Sequence, residues 1–211
     1  MTSQDPVATG LIDSLARPGG NVTGLTLLIR ELSGKRLELL KEAVPRRLSV
    51  GVLGEATLTP AVAFEHYETA ARALKIPIQS FDVSGSNPDF EGAFQAVAKR
   101  GVNAVVTLST VLLLNYPKRI AEVAIKNRLP SMFEGSNWVN AGGLMSYSAD
   151  DNDSWRRPAI YVDKILKGAK PADLPVEQPK KFEFVINLKA AKQIGLTIPP
   201  NVLARADKVI K

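Results

Sequence analysis

From Ser33 onward, short apolar runs alternate with amphipathic helical segments, and no other feature of the sequence restricts the accessible folds so tightly. Leu48 to Leu53, Ile76 to Phe81, Asn103 to Leu108 and Leu129 to Phe133 have the length and near-continuous apolarity of strands buried on both faces. Helices separate them. Ser33 can cap one whose Leu37, Leu40 and Val44 share a face before Pro45 stops it. Thr59 and Pro60 open the next, with Phe64, Tyr67, Ala71 and Leu74 along its stripe. Asn87 and Pro88 repeat that start signal ahead of Phe90, Phe94 and Val97, and Gly101 stands where a left-handed cap belongs. A helix from Tyr116 to Asn127 buries Ile120, Val123 and Ala124. Strands joined through such crossovers pair in parallel, so the expected class is α/β, a parallel sheet flanked by helices.

The rest of the chain is less regular. Leu144 to Tyr147 reads as a short strand, Ser154 to Leu166 as a helix, Phe182 to Ile186 as an alternating strand, and Leu188 to Ile194 as a helix ended by Gly195. Prolines in Lys170 to Lys181 fix φ and remove donors, which makes that stretch an extended connector crossing between lobes. At the start, Val7 to Leu15 reads as a short helix, Pro18 and Gly19 as the centre of a type II turn, and Val22 to Leu28 as a strand with no βαβ partner before it. The expected organisation is therefore a partial first lobe over 1–32 and a near-complete second lobe over 33–141. Residues 142–181 return to the first lobe and cross over, and 182–211 form a C-terminal strand and helices.

Hydrophobic residues at 45% and charged residues at 23% are ordinary globular values. The absence of cysteine excludes disulfides, zinc-thiolate clusters and thiol nucleophiles. The first twenty residues lack the basic start and apolar run of an export signal, so the sequence as written is expected to stay in the cytoplasm. A net charge of +6 and a pI near 9.5 raise the question of an anionic partner. Lys35, Arg36, Lys41, Arg46, Arg47, Lys118, Arg119, Lys126 and Arg128 are instead scattered over helix faces without interleaved aromatics, which reads as solvated surface and not as a nucleic-acid site.

Open parallel sheets take ligands at the carboxyl ends of their strands, which directs attention to Glu55, Thr57, Ser84, Ser86, Ser109, Thr110 and Glu134 to Ser136. The same residue types also cap helices and make turns. Their hydroxyls suit a small polar ligand, and they include no acid/base pair or activated nucleophile. His66 sits inside a helix, where a surface or half-buried structural role outweighs a catalytic triad. Asp150, Asp151 and Asp153 lack the glycine and closing glutamate of a calcium loop and read as a solvated turn that caps a helix. No GxGxxG follows a strand. Gly142 and Gly143 suggest a close backbone approach or a hinge, and Trp138, Tyr147 and Trp155 either stack on a ligand or fill core. No catalytic residue, cofactor or metal ligand is expected.

Several long segments carry a resemblance. Asp5 to Val7 and Ser14 to Gly24 resemble the mid-chain signature of the ABC transporter substrate-binding protein family that includes tryptophan- and tyrosine-binding members. Lys35 to Glu42, Gly142 to Tyr147, Tyr161 to Pro179 and Phe182 to Ala206 are similar to further blocks of it. The resemblance implies a type I periplasmic-binding-protein-like fold, non-enzymatic, that closes its lobes on a small-molecule ligand and serves an ABC permease, with periplasmic localisation. It also implies one near-complete lobe plus a partial one, because relatives carry further chain before the Asp-Pro segment. Weak ligand affinity, or a homodimer covering the incomplete lobe, is then expected.

The cleft residues so implied are Thr57, Ser84, Ser109, Thr110, Glu134, Ser136 and Tyr147, with hydroxyls orienting the ligand, Glu134 meeting an amine and Tyr147 stacking. The sequence departs from the family where Gly54 to Thr57 replaces Asn-Pro, where Thr110 and Val111 replace an acidic residue, and at Pro158, expected to kink a helix or delay its start. A ligand-sensing domain of a regulator or receptor with the same fold is the alternative, although no DNA-binding or signalling segment is present. A racemase or deaminase of related fold would need the missing cysteines or metal ligands.

Overall fold

The computed structural model describes residues 6–7, 9–26, 32–45, 47–56 and 61–211. The chain divides into two compact units, Met1–Glu31 with Ala149–Phe182, and Leu32–Ser148 with Glu183–Lys211.

The larger unit is an α/β sandwich around a mostly parallel sheet. Its strands are β1 (Val50–Glu55), β2 (Ile78–Val83), β3 (Ala104–Thr107), β4 (Ser131–Phe133), β5 (Met145–Ala149), β6 (Phe182–Asn187) and β7 (Lys208–Ile210), in the spatial order β2-β1-β3-β4-β5-β6-β7. The pairs β1·β2, β1·β3, β3·β4, β4·β5 and β6·β7 are parallel. Strands β5 and β6 run antiparallel, Asn187 pairing with Leu144 and Lys181 with Asp150. Helices α1 (Ser33–Ala43), α2 (Ala61–Leu74), α3 (Phe90–Lys99), α4 (Val111–Leu114), α5 (Pro117–Lys126) and α6 (Ser136–Asn140) join the strands from β1 to β5 or lead into them.

Successive strand residues point to opposite faces, and the two cores follow that alternation. Val50, Val52, Ala104, Val106, Met132 and Ile186 pack with α1, α2 and two C-terminal helices, α8 (Leu188–Ile194) and α9 (Pro200–Leu203). Leu53, Val105, Phe133 and Val185 pack on the other side with α3, α5 and α6. The near-continuous apolarity of the strands is thus explained by burial on both faces. Gly101 adopts φ +70° after α3, as its cap position requires, although the side chain capping that helix is Asp89, which accepts from the Gly92 amide at 2.8 Å, and not Asn87.

In the smaller unit a helix, α7 (Asp151–Leu166), lies beside the segment Lys170 to Lys181, which holds one 3-10 turn at Pro171–Asp173. Leu25 bridges Glu177 in parallel, and the Tyr161 hydroxyl donates to the Pro175 carbonyl at 2.6 Å. Ile160, Val162, Ile165 and Leu166 are exposed on α7. Two expectations need correction. The helix expected over Val7 to Leu15 does not form among the described residues. Leu11 and Ile12 amides both turn back to the Pro6 carbonyl, and Gly10 at φ +69° breaks the run. Pro158 does not delay α7, which begins at Asp151 and runs through it. Gly19 has the positive φ, +79°, that the expected type II turn requires. Leu27 and Leu28 of the expected first strand, and Thr59 and Pro60 ahead of α2, lie outside the described residues.

Candidate functional site

Because β1 to β5 run in parallel, their carboxyl ends share one edge of the larger unit, and the sheet order decides which candidates meet. Strands β3, β4 and β5 are neighbours, so Ser109 and Thr110, Glu134 and Ser136, and Tyr147 fall within two strand spacings, about 10 Å. Ser84 follows β2, three spacings from β4 or about 14 Å, and is exposed. Thr57 lies outside the described residues.

The chemistry at this edge centres on Glu134. It follows Met132 by two positions, so its side chain turns to the face covered by α1 and α2. There it meets two residues that the strand-end argument did not include. Arg36 of α1 donates from Nη1 to Glu134 Oε1 at 3.1 Å, and the Tyr67 hydroxyl of α2 donates to the same oxygen at 2.8 Å. The second carboxylate oxygen accepts the backbone amide of Ser109 at 2.7 Å. Arg36 also donates from Nε to the Tyr147 carbonyl at 2.8 Å and from Nη1 to the Tyr67 oxygen at 3.3 Å. One carboxylate and one guanidinium therefore tie together the ends of β3 and β4, the middle of the neighbouring β5, and two helices.

The Ser109 contact has a simple backbone logic. Along β3 the Val105 amide donates to the Pro130 carbonyl, and the parallel ladder repeats every two residues. Two steps on, the rung would join Ser109 to Glu134. The Glu134 side chain supplies its acceptor.

Arg36 is completely buried, Tyr67 is 1% exposed and Glu134 is 7% exposed. Burial pushes the Tyr67 phenol far above its ordinary range, with Arg36 opposing and Glu134 adding to the rise, so Tyr67 is a fixed donor at any physiological pH. For Arg36 burial acts downward, but Tyr67 and then Glu134 outweigh it and the net shift is upward, which keeps the guanidinium charged. Removing one member of such a pair strands the other charge in the interior and costs about 3–5 kcal/mol.

This cluster corrects one sequence expectation, since Arg36 is not part of a solvated helix face. Arg36 stands three, four and seven residues before the buried Leu39, Leu40 and Ala43, and so lies on the buried stripe of α1. A charged residue on an apolar stripe is the signal that could have found it.

The other candidates take mixed positions. Thr110 is the N-cap of α4 and accepts from the Leu113 amide at 3.3 Å; Ser109 and Ser136 are half-buried. The half-buried Tyr147 ring meets Phe184 edge-on, with centroids 6.5 Å apart. Ser86 is exposed, while Glu55 at the end of β1 is buried. His66 is exposed. Trp138 is core, fully buried and stacked on Phe133 at 5.3 Å. The Trp155 side chain lies outside the described residues. Among the described residues no group of histidine, aspartate or glutamate is arranged to hold a metal ion, and no helix is long and apolar enough to cross a membrane.

Known proteins similar to this chain form a consistent set. The chain is 24% identical over 193 residues to a tyrosine-binding protein of Clostridioides difficile, covering 91% of this chain and 55% of that protein. It thus spans little more than half of that relative's length. A Streptococcus pneumoniae ABC domain solved in complex with L-Trp superposes with a TM-score of 0.86 at 26% identity, covering 98% of this chain and 69% of the other. A conserved domain protein from Vibrio cholerae gives 0.83 at 29% identity, with 97% and 68% covered. The family described as ABC transporter substrate binding protein matches residues 1–210. With the strand-end edge, the mostly parallel sheet and a match over nearly its whole length, the chain belongs to the ABC transporter substrate binding protein family, whose members are non-enzymatic solute-binding proteins.

Proposed function

We propose that this chain is the solute-binding component of an ABC import system and takes a small polar ligand, an amino acid or a related compound, at the carboxyl ends of the larger unit's strands. The observation that supports the reading is that Ser109, Thr110, Glu134 and Ser136 follow the adjacent strands β3 and β4, beside Tyr147 of the neighbouring β5, in a family whose members bind solutes. Hydroxyls at Ser109, Thr110 and Ser136 orient the ligand, and the Tyr147 ring offers an aromatic surface. Glu134 supplies negative charge that Arg36 partly balances, so an amine would be met by a partly compensated carboxylate and held mainly by the hydroxyls around it. Ser84 and Thr57 extend the same edge toward β2 and β1. The tyrosine-binding relative and the L-Trp complex make aromatic amino acids the first compounds to try. Members of the family work in the periplasm or outside the cell beside an ABC permease, which is the setting and partner proposed here.

A thermal-shift screen of the twenty amino acids, followed by calorimetry on hits, tests this. A ligand at a hundred times its Kd stabilises by about 2.7 kcal/mol. For a chain of this size that raises the Tm by roughly 5–10 °C. No shift with any amino acid would set the ligand class aside.

A further inference from the structure

We propose that Arg36 and Tyr67 are positioning residues for the ligand-binding strand ends, holding the Glu134 carboxylate so that it fixes the Ser109 amide and the segment leading into α4. The inference rests on the strand-end reading above and adds residues that reading did not contain.

Three observations point the same way. First, both oxygens of the carboxylate are held. Glu134 Oε1 takes both the Arg36 and the Tyr67 donors, which leaves Oε2 aimed at the Ser109 amide. A carboxylate held by one donor can rotate about its last torsion, whereas one held at both oxygens by donors on three different elements cannot. Second, the bonds end on ligand candidates or beside them: the amide of Ser109, next to Thr110, and the carbonyl of Tyr147. Third, Arg36 lies just after the chain enters the larger unit at Leu32, and Tyr147 just before it leaves at Ser148. The Arg36 to Tyr147 bond thus fastens the entering segment to the departing one within that unit. Polar side chains this deeply buried are costly unless they are hydrogen-bonded, and here, among the described residues, three bonds hold the side chains to one another while two fix backbone, at Ser109 and at Tyr147.

The test uses the full chain with Tyr67→Phe, which removes one hydroxyl and almost no volume, and Glu134→Gln, which keeps the shape and loses the charge. Two readouts are taken well below the melting temperature: exchange of the Ser109 amide by hydrogen–deuterium NMR, and affinity for L-tryptophan and L-tyrosine by calorimetry. Hydrogen bonds to charged groups are strong enough that Tyr67→Phe should speed Ser109 exchange and weaken binding, each by about tenfold, with α1 and α2 still folded. Glu134→Gln should do at least as much, and the double variant little more, because both act through one carboxylate. A merely structural role predicts a lower Tm with Ser109 exchange and affinity unchanged, and that result overturns the proposal. If the wild-type chain binds neither compound, the ligand reading is what fails. The positioning inference is then decided by Ser109 exchange alone, standing if Tyr67→Phe accelerates it and falling if not.

Discussion

Replacing Gly143 by alanine is the sharpest packing test that the larger unit offers. An added Cβ there would lie 2.4 Å and 2.9 Å from two Phe133 ring carbons and 2.9 Å from the Trp138 carbonyl oxygen. The ring could in principle slide, but it is fully buried and stacked on Trp138 at 5.3 Å. The carbonyl cannot retreat without loss, because it accepts the Gly143 amide at 2.9 Å. Forcing one methyl into a packed core costs about 1–3 kcal/mol, and two neighbours that cannot yield put Gly143→Ala at the upper end, about 3 kcal/mol. At roughly 2–4 °C per kcal/mol the Tm should fall by about 6–12 °C. Gly34→Ala is the matched control, since its Cβ would rest 3.9 Å from that of Ala70 in the first turn of α1. Better helix propensity there should stabilise by about 0.5–1 kcal/mol. Urea unfolding followed by tryptophan emission measures both. A Gly143→Ala protein within about 0.5 kcal/mol of wild type would refute the close-packing argument.

Two further predictions concern α3. Asp89→Ala removes the acceptor for the Gly92 amide and should cost about 1 kcal/mol in the same unfolding assay, while Asp89→Asn should cost less. The Glu91 carboxyl is held below the usual range first by its own backbone amide and then by Arg119. A lowered folded-state pKa contributes stability present above the unfolded pKa and lost as pH falls through the folded one, so Glu91 should favour folding at neutral pH and lose that contribution progressively as pH drops below the ordinary glutamate pKa toward its lowered folded one. Side-chain NMR titration should find its midpoint low in wild type and still partly low in Arg119→Ala; full return to the ordinary value would make Arg119 the dominant cause.

Much of the fold was legible because burial on both sides of a parallel sheet leaves a one-dimensional trace. Val50 to Leu53 and Ala104 to Val106 are apolar without interruption for that reason. Strand ends were less so. The first two runs read as Leu48 to Leu53 and Ile76 to Phe81, yet the strands extend to Glu55 and Val83, where Gly54 stands level with Asp82 and Glu55 with Val83. Apolarity reports burial, whereas a strand's extent is set by its ladder, which polar residues join equally well. The short helices α4, α6 and α9 left no trace, because four or five residues cannot display a 3.6-residue period.

The site was legible only by half, for a different reason. A strand's carboxyl end can be located from the run itself, which is why Ser109, Thr110, Glu134 and Ser136 could be named. What those residues face depends on chain far away: Tyr67 and Arg36 lie 67 and 98 residues from Glu134. Apolar side chains in place of both Arg36 and Glu134 would satisfy the packing equally well, and buried ion pairs replaced whole by apolar residues are often no less stable. They would, however, leave the Ser109 amide without the acceptor it has now, at the point where the β3·β4 ladder gives out. The buried charge is therefore better explained by the backbone it satisfies at the strand ends than by the stability it contributes, and the same backbone leads into the segment where a ligand would rest.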